Sequence, residues 1–333
     1  MIQDQEIPPW LKSKRVFITG GAGFIGSHLV DRLIHDCEVT VYDNLSSGRK
    51  EFLAPHFGCR GFSFLQADLL DQEALCKAMQ GHNTVFHLAA NPEAREGTRD
   101  TALDLRVGTI ATYNVLESMR RNGITRIVFA SSGTVYGDTP FIPLPENYGP
   151  SLPISLYGAS KLACEGLISA FSHLFDIQAW IFRFANIIGG RATHGVIHDF
   201  VNKLHHNQEE LEILGNGQQE KPYLLVDDCI DGILYGLAHA QAPVNLLNLG
   251  CSSTTSVTRI AEILVDEMGL HNVRFHYTGE PRGWRGDVPL VKLDVNRMAT
   301  LGWRAERSSD EAICEAVRRI LGENRWVLAR EGG

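Results

Sequence analysis

Tyr157 and Lys161 are the residues of this sequence whose types and spacing point most directly to chemistry. They stand four apart near the start of an apolar helical run, Leu156–Phe175, so both lie on one face, about one turn from each other. A free tyrosine titrates near 10, which is poor for acid/base work at neutral pH. A neighbouring ammonium favours the tyrosinate and brings that value down. Upstream, Ser131-Ser132-Gly133-Thr134-Val135-Tyr136-Gly137 follows a strand at 126–130, so its hydroxyls emerge at the C-terminal edge of a sheet.

A second stretch supplies what such a pair would act beside. In Val16-Phe17-Ile18-Thr19-Gly20-Gly21-Ala22-Gly23-Phe24-Ile25-Gly26 an apolar run stops at a threonine, glycines follow at three-residue spacing, and an amphipathic run begins. That order is strand, tight turn, helix. Gly20 allows the turn, Gly23 lets backbone approach a pyrophosphate, and Gly26 lets the helix pack on the strand. The helix N-terminus offers unpaired N–H groups to the anion, and the whole reads as a dinucleotide site. Asp43, about twenty residues further on at a strand end, is placed to accept both hydroxyls of an adenosine ribose. It would repel a 2′-phosphate, which favours NAD over NADP; Arg49, just beyond, pulls the other way. Phe24, Ile25, Asn44, Ser47 and Gly48 flank the turn and the aspartate. Leu69 and Leu88 lie at later strand ends, and Ala89 and Ala90 leave room for a cofactor above the sheet. With NAD bound, its positive nicotinamide adds to the ammonium in lowering Tyr157, and Lys161 reaches the nicotinamide ribose.

The elements that position these groups alternate. Strands are expected at Arg15–Thr19, 38–42, Phe62–Gln66, 84–88, 126–130 and Gln178–Phe184. Helices are expected at 25–36, 71–80, Leu156–Phe175 and, as one long element, at about 100–121, closed by Asn122-Gly123. This predicts an α/β fold, a doubly wound, Rossmann-like parallel sheet with ligands at the strand C-terminal ends. After Asn186 the pattern loosens. Helices at Val196–His206, 227–240, 256–268 and 309–321, with short strands between them, suggest a smaller C-terminal α/β substrate lobe. Residues 1–13 read as a loose N-terminal extension, 14–185 as mainly the NAD-binding domain, and 186–333 as mainly the second lobe, with some segments returning to the first.

Bulk properties narrow the classes. The chain has 333 residues, 44% hydrophobic and 21% charged, which suits one large and one smaller folded unit. Net charge is −8 and no basic stripe is visible, so nucleic acid is excluded as a partner. No apolar run reaches the roughly 18 residues that span a bilayer. The polar, acidic opening Met1-Ile2-Gln3-Asp4-Gln5-Glu6 does not read as a signal peptide, and a cytoplasmic location is expected. The seven cysteines are odd in number and none are at metal-ligand spacing, so they read as buried reduced thiols, with no metal site.

The Gly-x-x-Gly-x-x-Gly spacing, Tyr157-x-x-x-Lys161 and the serine run together resemble the extended short-chain dehydrogenase/reductase superfamily. Further stretches are Arg183-Phe184-Ala185-Asn186-Ile187-Ile188-Gly189, Gly215-Asn216-Gly217, Lys221-Pro222-Tyr223, Val226-Asp227-Asp228 and Arg282-Gly283-Trp284-Arg285-Gly286-Asp287-Val288. Their order and spacing, from Arg15 to about Leu321, look like NAD-dependent nucleotide-sugar epimerases of the UDP-glucose 4-epimerase type, closest to the compact archaeal form. The resemblance implies that Ser132, four residues before Tyr136-Gly137, bonds the reacting hydroxyl, with Tyr157 and Lys161 as its catalytic partners and Ser131 structural. It implies Asp68 at the adenine and Asn186 at a substrate phosphate. Val196, Lys221, Tyr223, Arg282 and Asp287 complete the implied substrate shell. Dehydratases of this kind carry Asp-Glu, and UDP-glucuronate decarboxylases a glutamate, where this chain has Gly133-Thr134, so the reaction should leave the sugar's skeleton and oxygens intact.

The implied activity is interconversion of UDP-glucose and UDP-galactose through a transient 4-keto sugar. An epimerase of another nucleotide sugar (UDP-glucuronate or a UDP-N-acetylhexosamine) or of another carbon is the alternative, and a non-catalytic NAD-binding sensor is the alternative of a different class. Intact Ser132, Tyr157 and Lys161 speak against the sensor. The family also implies a homodimer through the helices near 101–121 and Leu156–Phe175, whose Ile110, Val115, Leu116, Leu162, Leu167 and Ile168 could serve core or interface. Departures from the family pattern are Leu105 in place of an asparagine, Pro92 and Lys221 in place of a lysine and an arginine, and Trp284 in place of a uridine- or phosphate-binding arginine.

Overall fold

The apolar runs bounded by glycine or polar turns become parallel strands, because each is joined to the next by a crossover too long for a hairpin. The computed structural model of the chain describes residues 7–331, with side chains to residue 322; Met1 to Glu6 lie outside the described residues. Strands β1 (Arg15–Thr19), β2 (Glu38–Asp43), β3 (Phe62–Gln66), β4 (Thr84–His87), β5 (Arg126–Ser132), β6 (Gln178–Phe184) and β11 (Val244–Leu249) form one sheet in the order β3-β2-β1-β4-β5-β6-β11. Every pairing in it is parallel. The strand order reverses between β1 and β4, so their C-terminal ends open the crevice where ligands of such sheets bind.

Apolar residues cover both faces. On one, α1 (Phe24–Leu33) and α6 (Val226–His239) bury Leu29, Val30, Ile233 and Leu237 against Val39, Val41 and Phe182. On the other, α2 (Gln72–Ala78), α3 (Ala111–Asn122) and α4 (Leu156–Phe175) bury Leu75, Val115, Leu116 and Ile168 against Phe17, Val85 and Ile127. The second lobe packs α5 (Val196–His206) on β8 (Glu210–Ile213), which pairs with β13 (Arg274–Tyr277), and α7 (Val257–Glu267) between α5 and α9 (Ser309–Glu331). Two further small pairs, β7 (Asn186–Ile188) with β10 (Tyr223–Leu225) and β9 (Glu220–Lys221) with β12 (Thr255–Ser256), join the lobes' connecting segments. Helix α8 (Asn296–Leu301) lies against β11. Thus α6 and β11, although beyond residue 186, belong structurally to the first sheet. Among the described residues no helix is long and apolar enough to cross a membrane.

Several expectations are corrected. Residues 7–13 are not loose: Ile7 and Leu11 are buried in the core, and Trp10 stacks on Trp180 with ring centres 5.6 Å apart. The helix expected over 100–121 is broken. Asp100 caps a turn by accepting from the Ala102 N–H, Leu105–Ile110 winds as a π-helix, and regular helix begins at Ala111. The break has a tertiary partner: Ser160 Oγ, from α4, donates to the Asp104 carbonyl at 2.7 Å, taking an acceptor from the helical ladder. The cysteines are free, but Cys59 is exposed and Cys76 and Cys314 are half-buried; only Cys37, Cys164, Cys229 and Cys251 are buried.

Candidate active site

The glycine turn is built by exclusion of side chains. Gly20 has φ +70°, and a Cβ there would fall 2.7 Å from the Ala89 backbone; one on Gly26 would fall 2.2 Å from the Gly20 carbonyl oxygen. A Cβ on Gly23 would meet only that same oxygen, at 3.2 Å, so the turn is open on its outer side to a phosphate-sized group. The segment after β2 folds back over it: Arg49 N–H donates to the Ala22 carbonyl at 2.9 Å, and Gly48 lies against Ala22.

Asp43 is locked to this turn. Its Oδ2 accepts from the Ala22 N–H at 3.0 Å and its Oδ1 from the Leu45 N–H at 2.8 Å. Burial pushes its carboxyl up, and the two N–H groups pull the other way. Each oxygen keeps a lone pair for a ribose hydroxyl. Asp68 accepts from the Leu70 N–H and from Asn44 Nδ2 at 3.0 Å, so Asn44 ties the two strand ends together. Leu69 turns its side chain into the core and its carbonyl accepts from Asn114 Nδ2 at 2.9 Å. Phe24, Ile25, Leu88, Ala89 and Ala90 are half-buried around the turn, while Asn44 and Ser47 are exposed. These residues fit a dinucleotide: a side-chain-free cradle, a fixed carboxylate about a strand away, and small residues above the sheet.

Beneath that floor stands a buried pillar that sequence reasoning missed. His87 bridges Thr19 Oγ1 (2.6 Å) and Thr112 Oγ1 (2.9 Å), and the Ala89 N–H donates to Thr19 Oγ1 at 3.4 Å. Burial, with Lys161 nearby, pushes His87 down to about 3, so it is neutral. A histidine ending an apolar strand was the only signal available.

Ser132, Tyr157 and Lys161 are brought together at the ends of β5 and α4. Ser155 caps α4 by accepting from the Gly158 N–H, which fixes where the helix starts and so where Tyr157 projects. Ser132 lies close enough to Tyr157 to pull its hydroxyl down. Its Oγ also accepts from Thr134 N–H (3.2 Å) and Thr134 Oγ1 (3.0 Å). Lys161 Nζ donates to the Ala130 carbonyl at 2.6 Å and sits 5.7 Å from the centre of the Tyr157 ring. The expected effect on Tyr157 is corrected here. Burial first, then the Asp104 carboxylate, push its hydroxyl up to about 12, and the ammonium does not offset them. Burial also brings Lys161 down to about 8. Ser132 pulls the Tyr157 hydroxyl down against that burial, and the positive charge of a bound cofactor would add to that pull.

Sequence reasoning also missed two supports. Asn91 Nδ2 donates to Asp104 Oδ1 at 3.1 Å behind the tyrosine. Glu165 and Arg183 form a buried ion pair at 2.7 Å behind the serines. Leu105 is exposed; Gly108 and Thr109 of that segment meet α4, where a Cβ on Gly108 would lie 2.2 Å from Ser160 Oγ and Thr109 Oγ1 lies 2.9 Å from it.

The residues expected to form a substrate shell lie on segments after β6. Asn186, at the start of β7, is exposed and donates to the Pro222 carbonyl at 3.4 Å; Val196 opens α5. Lys221 Nζ and Asp287 Oδ1 pair at 2.5 Å, and Arg282 donates to the Asp138 carboxylate at 2.5 Å and to the Asp287 carbonyl at 2.7 Å. Tyr223 does not stand open to the crevice. Its ring is buried in the core of the second lobe, because its strand β10 runs between β7 and α9, and burial with Asp287 nearby pushes its hydroxyl up. Trp284 and Arg285 line a cavity of about 420 Å³ with Glu93, Arg95, Glu96, Thr98 and Arg99. Among the described residues no three of His, Cys, Asp and Glu gather as a metal site.

Residues 16–250 match the NAD dependent epimerase/dehydratase family. A UDP-glucose 4-epimerase of Mycolicibacterium smegmatis is 32% identical over 312 residues, 91% of this chain and 97% of that one. A crystal structure of a UDP-galactose 4-epimerase superposes with TM-score 0.83 and 39% identity, over 94% of this chain and 100% of the other. A UDP-N-acetylglucosamine 4-epimerase from Methanobrevibacter ruminantium M1, in complex with UDP-N-acetylmuramic acid, superposes with TM-score 0.84 and 27% identity, over 94% and 99%.

Proposed function

Because this chain belongs to the NAD dependent epimerase/dehydratase family, we propose that it is a 4-epimerase interconverting UDP-glucose and UDP-galactose. One observation carries the reading. Ser132, Tyr157 and Lys161 converge, while the positions following Ser132 are Gly133 and Thr134, with no carboxylate to expel water or assist loss of carbon dioxide. Of the buried carboxylates around the triad, Glu165 is held by Arg183 and Ser131, and Asp104 accepts from Asn91 through one oxygen.

NAD, when bound, supplies a hydride acceptor that gives back what it takes, so none is consumed. The glycine turn would hold its pyrophosphate and Asp43 its adenosine ribose. Lys161 would exchange the Ala130 carbonyl for the nicotinamide ribose. Ser132 holds the sugar's 4-hydroxyl, and Tyr157 takes its proton and later returns it. Asn186, Lys221 and Arg282 would take a diphosphate, Lys221 and Arg282 by exchanging Asp287 and Asp138 for it. We also read the enzyme as a homodimer joined through α3 and α4. On that surface Ile110, Tyr113, Leu174 and Phe175 are exposed, whereas Val115, Leu116 and Ile168 are spent on the core.

The likeness to a UDP-N-acetylglucosamine enzyme supports a second reading, in which the sugar is a 2-acetamido hexose. The test is to incubate the enzyme with UDP-glucose, UDP-galactose, UDP-N-acetylglucosamine, UDP-glucuronate and dTDP-glucose and follow stereochemistry by NMR. Inversion at C4 of the UDP-hexoses without added oxidant is expected. Product formed only with stoichiometric NAD, or loss of water or carbon dioxide, would overturn the reading.

A further inference from the structure

Two successive residues at the end of β5 are held to α4 by two side chains one helical turn apart. Lys161 Nζ donates to the Ala130 carbonyl at 2.6 Å. Glu165, four residues along the same helix, accepts from Ser131 Oγ at 2.5 Å. The carboxylate also accepts from Arg183 Nε at 3.0 Å and Nη2 at 2.7 Å. Arg183 faces Ser131 in the β5–β6 register, stacks over the Tyr136 ring at 4.6 Å and donates to the Glu146 carbonyl at 3.2 Å. Ser131, Glu165, Arg183 and Tyr136 are all buried.

A buried ion pair gains little net stability over an apolar pair of the same size. What this one contributes is a fixed orientation: three donors leave the Glu165 carboxylate no freedom to rotate. The first tie is of a different kind. Lys161 is the side chain proposed above to exchange its bond to Ala130 for the cofactor ribose. Pairing with Arg183 and Phe184 holds the backbone of this strand end in the sheet, and with the Ala130 bond exchanged the Ser131–Glu165 bond is a side-chain tie to α4 that remains.

We infer that Glu165, acting through Ser131, is the positioning residue that keeps Ser132 in register with Tyr157 when Lys161 leaves the Ala130 carbonyl. The inference rests on the role given to Lys161 above. It predicts that the Ser131–Glu165 bond matters to events at the cofactor and in turnover, although neither residue reaches substrate or cofactor.

The test compares full-length wild type with Ser131→Ala and Glu165→Gln. The measurements are NAD affinity by calorimetry, kcat and KM for UDP-galactose, and the melting temperature. Ser131→Ala removes one hydroxyl and leaves the ion pair intact, so it decides alone if Glu165→Gln fails to fold. The expected result is NAD affinity and kcat each lower by about tenfold, the scale of one hydrogen bond to a charged group, with KM within about twofold of wild type. A variant that melts earlier yet keeps wild-type kcat and NAD affinity would reduce Glu165 to ordinary packing and overturn the inference. So would a raised KM at unchanged kcat. Should wild type bind NAD but invert no UDP-hexose, the sugar assignment falls, and the NAD affinities of the variants still decide the positioning role.

Discussion

His87→Gln tests the energetics under the cofactor floor. In the folded chain His87 is fully buried between Thr19 and Thr112 and held down to about 3 by burial and then by Lys161. In the unfolded chain it returns to about 6.5. Between those values the unfolded state carries a proton that the folded state does not, so stability is present in full above about pH 6.5 and is lost as pH falls. At pH 5 the loss from this residue is 1.36 kcal/mol times the gap of about 1.5 pH units, or about 2 kcal/mol, rising to about 4 kcal/mol by pH 3. Glutamine does not titrate, yet keeps a donor and an acceptor for the two threonines. The assay is urea unfolding of both proteins at pH 7 and pH 5. Wild type should lose about 2 kcal/mol more than the variant over that interval. His28, His82, His194 and His198 are also pushed down by burial, but they are present in both proteins and cancel. Equal losses would show that His87 accepts its proton without unfolding, and the reasoning would fail.

Three further outcomes are expected. Tyr157→Phe keeps the ring and NAD binding but loses the hydroxyl, so turnover should drop by about 10²–10⁴-fold; a wild-type rate would remove Tyr157 from the chemistry. Asp43→Asn takes away the charge locked to the Ala22 and Leu45 N–H groups, and should narrow the preference for NAD over NADP in competitive binding. Wild type that binds both cofactors equally would contradict the electrostatic account. Sedimentation at micromolar concentration should give a dimer that Tyr113→Glu breaks, since Tyr113 is exposed on α3; a monomeric wild type would end that assignment.

The glycine turn and Tyr157-x-x-x-Lys161 were legible because each is a local device: strand, turn and helix spacing fix its geometry within a few residues. The supports were not, because their partners are distant in the chain. Trp10 and Leu11 look like extension residues until Trp180 is placed beneath them. Glu165 looks like an ordinary helix-face glutamate until Ser131 and Arg183 arrive from β5 and β6. The break at 105–110 depends on Ser160 reaching the Asp104 carbonyl, fifty-six positions away. Tyr157 was misjudged for a different reason: its neighbouring charge was visible in the sequence, but the burial that outweighs it was not.

The stacked pair Trp10 and Trp180 gives the molecule a built-in optical reporter. The two indoles lie 5.6 Å apart with planes 13° from parallel, the Arg126 guanidinium lies 4.6 Å from Trp10, and the Trp180 N–H is held by the Ala240 carbonyl. Rings so close and so fixed couple electronically, which gives a near-ultraviolet circular dichroism band that free tryptophans lack. The pair sits by the first residues of β5 and β6, at the end of the sheet away from the crevice, whereas Trp284 lines the cavity among the arginines. Ligand arrival should therefore register on Trp284 fluorescence, and peeling of the amino-terminal segment on the coupled band, so that one sample reports the two events at separate wavelengths.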